Sequence, residues 1–193
     1  MFPHSPPQAP PPGDRLTMAA SFNTANFLSH AHALALTVFL RTDFGREGIG
    51  IHGLVTFVLI LGYGSFAQCY AMFPFFLLWI LAVICQRVRQ FVNWRRGVII
   101  HSYYNGYPWL SKRLFPRMSE LNAKGVDAFL CLAIGGVIAQ FDKPFGLFIM
   151  AGFASILFTE AVIVESTKRR LQAMQDAELE QRYLAEKYKS GRF

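Results

Sequence analysis

Between Gly53 and Cys85 the chain runs for thirty-three residues without one Asp, Glu, Lys, Arg or His. A water-soluble chain of 193 residues has no interior large enough to hide such a run as a single element. As one unbroken helix it would rise roughly 50 Å at about 1.5 Å per residue, well past the ~30 Å hydrocarbon core of a bilayer. The run therefore reads as two spans joined by a tight turn. The first covers Ile51 to Ala67 and the second Ala71 to Cys85, with Gln68, Cys69 and Tyr70 at the turn and Pro74 tolerated in the first turn of the second helix.

Two further apolar runs, Val126 to Phe141 and Phe145 to Val164, are separated only by Asp142, Lys143 and Pro144. With 53% hydrophobic and 16% charged residues, the composition is that of a chain that meets lipid. The predicted class is all-α: a polytopic membrane protein of two transmembrane helical hairpins, 51–85 and 126–164, giving four spans.

The flanking segments are predicted from their patterns. Residues 1–26, rich in Pro and without the form of a signal peptide, read as a disordered tail. In 27–43, Phe27, Leu28, Ala31, Leu34, Ala35, Val38 and Phe39 follow helical spacing while His30, Thr37 and Arg41 take the other side. The stretch from Ala31 to Leu40 is too short to span, which predicts an amphipathic interfacial helix on the membrane surface or against the bundle. Residues 86–125 form a basic loop with eight cationic side chains and one acid, Glu120. Residues 165–193 read as a charged helical tail that prolongs the fourth span into water.

Charge placement then sets orientation. The turns inside the two hairpins contain one basic residue, Lys143, against eight in the central loop. The positive-inside rule puts that loop and both termini in the cytoplasm. The expected location is an integral membrane position, in the inner membrane if the source is bacterial.

Chemistry-bearing candidates are few. Asp127 lies sixteen residues before Lys143 and Glu160 seventeen after it, so both sit about 24 to 26 Å from the turn, near the cytoplasmic interface. Ionisable groups within spans suggest an ion or proton site; the competing expectation is that each acid snorkels or pairs with Lys124, Lys168 or Arg169. Small residues four apart, Cys131, Gly135 and Ala139 on one helix and Ala151, Ser155 and Thr159 on the next, predict close helix packing. Contacts with anionic lipid or a protein partner are expected from Arg87, Arg89, Arg95, Arg96, Tyr103, Tyr104, Tyr107, Trp109, Lys112 and Arg113 in the loop and from Lys168, Arg169 and Arg170 in the tail. Basic residues among aromatics also suit nucleic acid, but a place beside the membrane favours lipid.

The five histidines, His4, His30, His32, His52 and His101, have no metal-binding spacing, and Cys69, Cys85 and Cys131 form no CxxC. No metal, cofactor or catalytic residue is expected, and no nucleotide-binding or hydrolase motif occurs. Three functions remain open: a structural or assembly subunit of a membrane complex, with a protein partner or further copies of itself; an oligomeric transporter or channel using Glu160 and Asp127; and a lipid-acting enzyme with His101 as base.

Overall fold

The computed structural model describes residues 12–102 and 104–189, with side-chain surroundings from residue 20 onward. Six helices occur among them: α1 (Pro12–Leu40), α2 (Arg46–Phe66), α3 (Met72–Arg95), α4 (Trp109–Leu114), α5 (Glu120–Ile138) and α6 (Lys143–Lys189). Four of these, α2, α3, α5 and α6, are long and apolar enough to cross a membrane. In none of the four is more than 33% of the apolar stretch buried within the chain. Ile51, Leu54, Val58, Leu77, Leu81, Phe129 and Val137 instead point outward. That distribution suits hydrocarbon around the bundle and not water.

With lipid outside, helices gain little by hiding apolar surface from it, so close contact at small residues matters more. A β-carbon placed on Gly135 would lie 2.6 Å from the Met150 amide nitrogen and 2.9 Å from the Gly146 carbonyl oxygen. Gly146 in turn rests on the Ala139 backbone, and Gly152 receives the Leu36 side chain of α1. Gly135 and Ala139 thus face α6 as their spacing implies. On α6 the contact face is Gly146, Gly152, Ile156 and Thr159, while Ala151 is exposed. The stripe containing Ala151 is corrected by one residue, a step of about 100° around a helix.

The largest departure from the sequence pattern is α1. It packs against α2, α3 and α6 and so links the α2–α3 pair to the α5–α6 pair. Residues expected to face water are buried: Thr37 is 2% exposed and Arg41 0%. From Ala31 onward neighbours enclose the helix, while residues 20–25 and Leu28 stay exposed. Thr56 Oγ1 of α2 donates to the Ala31 carbonyl (2.6 Å), His32 bonds Ser155 of α6 (2.8 Å), and Gln86 Nε2 of α3 donates to the Val38 carbonyl (3.2 Å). Trp109 Nε1 of α4 reaches the Phe39 carbonyl at 3.3 Å. An interfacial helix with one wet face is therefore corrected to a central one. Its start at Pro12 also replaces disorder over 12–26, and residues 1–11 lie outside the described part.

The central segment 86–125 is more ordered than a loop. Helix α3 continues past the expected end at Cys85 to Arg95, because its polar residues still find backbone partners: Gln90 Nε2 donates to the Phe44 and Gly45 carbonyls at 2.8 and 3.0 Å. Gly97, with φ +74°, ends it, and the Val98 amide returns to the Asn93 carbonyl at 3.0 Å, the left-handed C-cap that glycine favours. The chain then folds over the turn after α1. Thr42 and Tyr107 exchange backbone hydrogen bonds, and the Gly45 and Glu47 amides donate to the Tyr104 and Ser102 carbonyls at 2.8 and 2.9 Å. Ser119 caps α5, accepting from the Asn122 amide at 3.3 Å.

Gly106 is required in this crossing. Its φ is +79°, and a β-carbon there would lie 2.9 Å from Arg41 Cβ and 3.0 Å from the Phe44 ring. Gly106→Ala is expected to destabilise the fold by about 1–3 kcal/mol, seen as a lower melting temperature of the detergent-solubilised protein. Gly62→Ala, at a position with open space around it, should leave the melting temperature near that of the parent.

Candidate functional site

Arg41 follows the last residue of α1, whose final carbonyls need donors from elsewhere. Gln86 supplies one, its Nε2 lying 2.7 Å from the Arg41 carbonyl oxygen. The arginine side chain turns inward between α5 and α6. Its Nε donates to Asp127 Oδ2 at 2.9 Å, and its Nη1 donates to Glu160 Oε1 and to the Asn105 carbonyl at 3.2 Å. Neutral donors join them: Ser111 Oγ donates to Asp127 Oδ1, and Asn105 Nδ2 donates at 3.0 Å to the same Glu160 Oε1 that Arg41 uses, while Arg41 Nη2 is buried without a hydrogen-bond partner among the described residues. One guanidinium, two carboxylates, a hydroxyl and an amide thus meet from α1, the 97–108 segment, α4, α5 and α6. Both ions of the Arg41–Asp127 pair have fully buried side chains.

The two acids reach the same depth, as counting from the turn implies. The expected partners are wrong, however. Lys124 pairs with Glu120 one helical turn away, at 2.9 Å, and covers the Tyr104 ring at 4.9 Å. Arg169 pairs with Glu165 at 2.8 Å, and Lys168 is exposed on the same outlying part of α6. Neither Lys168 nor Arg169 turns back to Glu160, because the helix carries them two turns further away. Arg41, Gln86, Asn105 and Ser111 complete the site and were not singled out from sequence. The available signal was two acids in apolar runs that contain no Lys or Arg, which demands a cation from another segment.

The other sequence candidates are placed as follows. Cys131 is buried one turn from Asp127, Ser155 bonds His32, and Thr159 is buried beside Glu160. Arg87 donates to Gln90 Oε1 (2.9 Å), Arg89 pairs with Asp43 (2.8 Å), and Arg95 lies over the Phe91 ring (4.9 Å). Arg96, Arg113 and Arg170 are exposed, and Lys112 donates to the Met118 carbonyl. Tyr104 turns inward and donates to Glu120 at 2.7 Å. Burial, and after it the Glu120 carboxylate, raises the Tyr104 phenol well above its ordinary range, so it stays a donor. Tyr107 and Trp109 keep partly exposed rings while bonding to the chain, and Tyr103 lies outside the described residues. His30 stacks on His52 with ring centres 4.1 Å apart. Among the described residues no group of three or more His, Cys, Asp or Glu is placed to hold a metal.

Comparison with protein-family models, curated proteins and solved structures finds no match. The site is therefore read from its own chemistry. Both carboxylates are committed to Arg41 and to neutral donors, an arrangement suited to holding helices in place. Removing one member of a buried ion pair costs about 3–5 kcal/mol because the other charge is left unpaired. Arg41→Met should cost about this much in thermal or denaturant unfolding in detergent. The triple variant Arg41→Met, Asp127→Asn, Glu160→Gln should be clearly more stable than Arg41→Met alone, since it strands no charge.

Proposed function

We propose that this chain is a small integral membrane protein whose four spans form two hairpins, and that it works as a structural or assembly subunit. The bundle anchors the protein, and the outlying half of α6 holds a protein partner. The observation that carries this reading is the arm from Glu165 to Lys189: twenty-five helical residues, all exposed, continuous with a membrane-length helix.

The arm extends about 37 Å at 1.5 Å per residue, and being exposed throughout it draws its stability from contacts within the helix. Ion pairs at i, i+4, Arg169 with Glu165 and Arg182 with Glu178, help only slightly, because water screens them. Yet Met174, Ala177 and Leu184 lie along one face, with Leu171 beside it, and all four are exposed. An apolar stripe kept in water on a charged helix supports partner binding. The closed Arg41 cluster, with its carboxylates already paired, supports a clamp better than an ion path through Asp127 and Glu160.

Charge bias supports cytoplasmic loop and termini, and anionic lipid as a second contact for the basic end. Single cysteines at Arg95→Cys and Lys168→Cys, in a background lacking the native thiols, should both label from the cytoplasmic side of sealed vesicles; labelling from opposite sides would remove the topology. Cross-linking in native membranes should join the arm to one discrete partner, and a chain ending at Glu165 should insert and melt as before but lose it. A full-length chain that stays uncross-linked and elutes as a lone monomer from gently solubilised membranes would overturn the assembly role.

A further inference from the structure

We infer that the outer face of α3, where its apolar part gives way to arginines, is a binding site for one anionic phospholipid. The inference rests on the proposal that α3 crosses the bilayer with this end at the headgroups. Along the face runs a groove of about 470 Å³, lined by Ile84, Cys85, Val88 and Val92 and then by Arg89, Asn93 and Arg96. Ile84 and Val88 are 53% and 57% exposed one turn apart, which offers an apolar track for an acyl chain. Arg89, Asn93 and Arg96 follow at i, i+4 and i+7 on the next part of the same surface. The apolar and cationic residues of this face together cover twelve steps, about 18 Å of helix, which fits within the roughly 20 Å depth of one leaflet with its headgroups.

Geometry prepares the arginines for a phosphate. Arg89 is held by Asp43, its Nε on Oδ1 at 2.8 Å and its Nη2 on Oδ2 at 3.2 Å, which leaves Nη1 directed elsewhere. Asn93 steadies the same carboxylate at 2.8 Å. Arg96, exposed one turn beyond, pairs with no acid among the described residues. Arg87 and Arg95 stand on the same end of the helix, so the single acid Asp43 leaves a clear cationic excess. A phosphodiester of net charge −1 answers that excess. A zwitterionic headgroup brings its own cation into it, which selects against phosphatidylcholine.

The test is native mass spectrometry of the full chain in detergent, titrated with phosphatidylglycerol and separately with phosphatidylcholine. One phosphatidylglycerol should be retained at about tenfold lower concentration than phosphatidylcholine. Arg96→Gln should weaken it about fivefold, the equivalent of ~1 kcal/mol per basic residue at an anionic surface. Val88→Trp, which fills the groove and keeps every charge, should weaken it as well. Removing two charges elsewhere, Arg117→Gln with Lys143→Gln, should leave it unchanged. Equal retention of both lipids, or equal losses in all the charge variants, would overturn the site in favour of diffuse attraction. Because these measurements need no bilayer, they stand apart from the labelling test of topology: a lost lipid preference with correct labelling removes the site alone, and wrong labelling removes the premise.

Discussion

A fully buried guanidinium is among the costliest groups a helical bundle can contain, and Arg41 is tolerable only because Asp127 and Glu160 meet it from two different helices. That single requirement fixes much else. Asp127 belongs to α5 and Glu160 to α6, so pairing both to the end of α1 sets the height of α1 against them. Ser111, on the second oxygen of Asp127, and Asn105, on the Glu160 oxygen that Arg41 also uses, draw α4 and the 97–108 segment over the same point. Surface ion pairs elsewhere contribute little. This one is shielded from water, and each of its members depends on the others.

The remainder of the bundle is arranged around what the cluster allows. Helix α1 is not among the helices long and apolar enough to cross a membrane, and alone in lipid it would expose His30, His32, Thr37 and Arg41. Placed at the centre it exposes none of them fully: Thr56 covers the Ala31 carbonyl, Ser155 takes His32, and Gln86 takes the last carbonyls. Rings close the contact with both pairs of spanning helices, Phe39 against Phe75 at 5.7 Å and Phe75 against Phe145 at 5.4 Å, with Tyr63 against Phe148 at 5.0 Å. The Tyr63 hydroxyl adds a hydrogen bond to the Pro144 carbonyl at 2.7 Å. A helix too polar for lipid thus becomes the surface on which four apolar helices assemble.

What could be read from sequence follows the range of the interaction concerned. The four long apolar helices were legible because hydropathy is a local property, summed over neighbours in the chain. The continuation of α6 into a charged helix was legible for the same reason, whereas the start of α5 at Glu120, capped by Ser119, lies inside the segment expected to be a loop. The role of Arg41 was not. Its partners lie 86 and 119 residues away, and a helix buried on every side can show the same i, i+3, i+4 pattern as one lying in an interface, since the polar face is then matched to polar groups of its neighbours. Only the count of charges, two acids in apolar runs without a cation beside them, pointed beyond local pattern. The inward turn of Tyr104 was hidden in the same way. Tyrosines among basic residues fit a membrane belt until Glu120 and Lys124 are seen to take one of them.

Helix α6 joins an apolar half to a charged arm without interruption. From Phe153 to Lys189 it contains neither Gly nor Pro, the residues at which helices most often kink, so its apolar half and its charged arm form one continuous helix. The buried face that carries Ile156 and Thr159 continues in angular phase into Met174, Ala177 and Leu184 on the arm. Glu160 lies just one turn and a fraction before the arm begins. The helix that supplies half of the acid around Arg41 thus runs into the arm without a break. Rotating Glu160 away would leave a buried guanidinium short of an acceptor. The interaction that positions the end of α1 inside the bundle therefore also fixes the rotation of α6 one turn and a fraction before its charged arm begins.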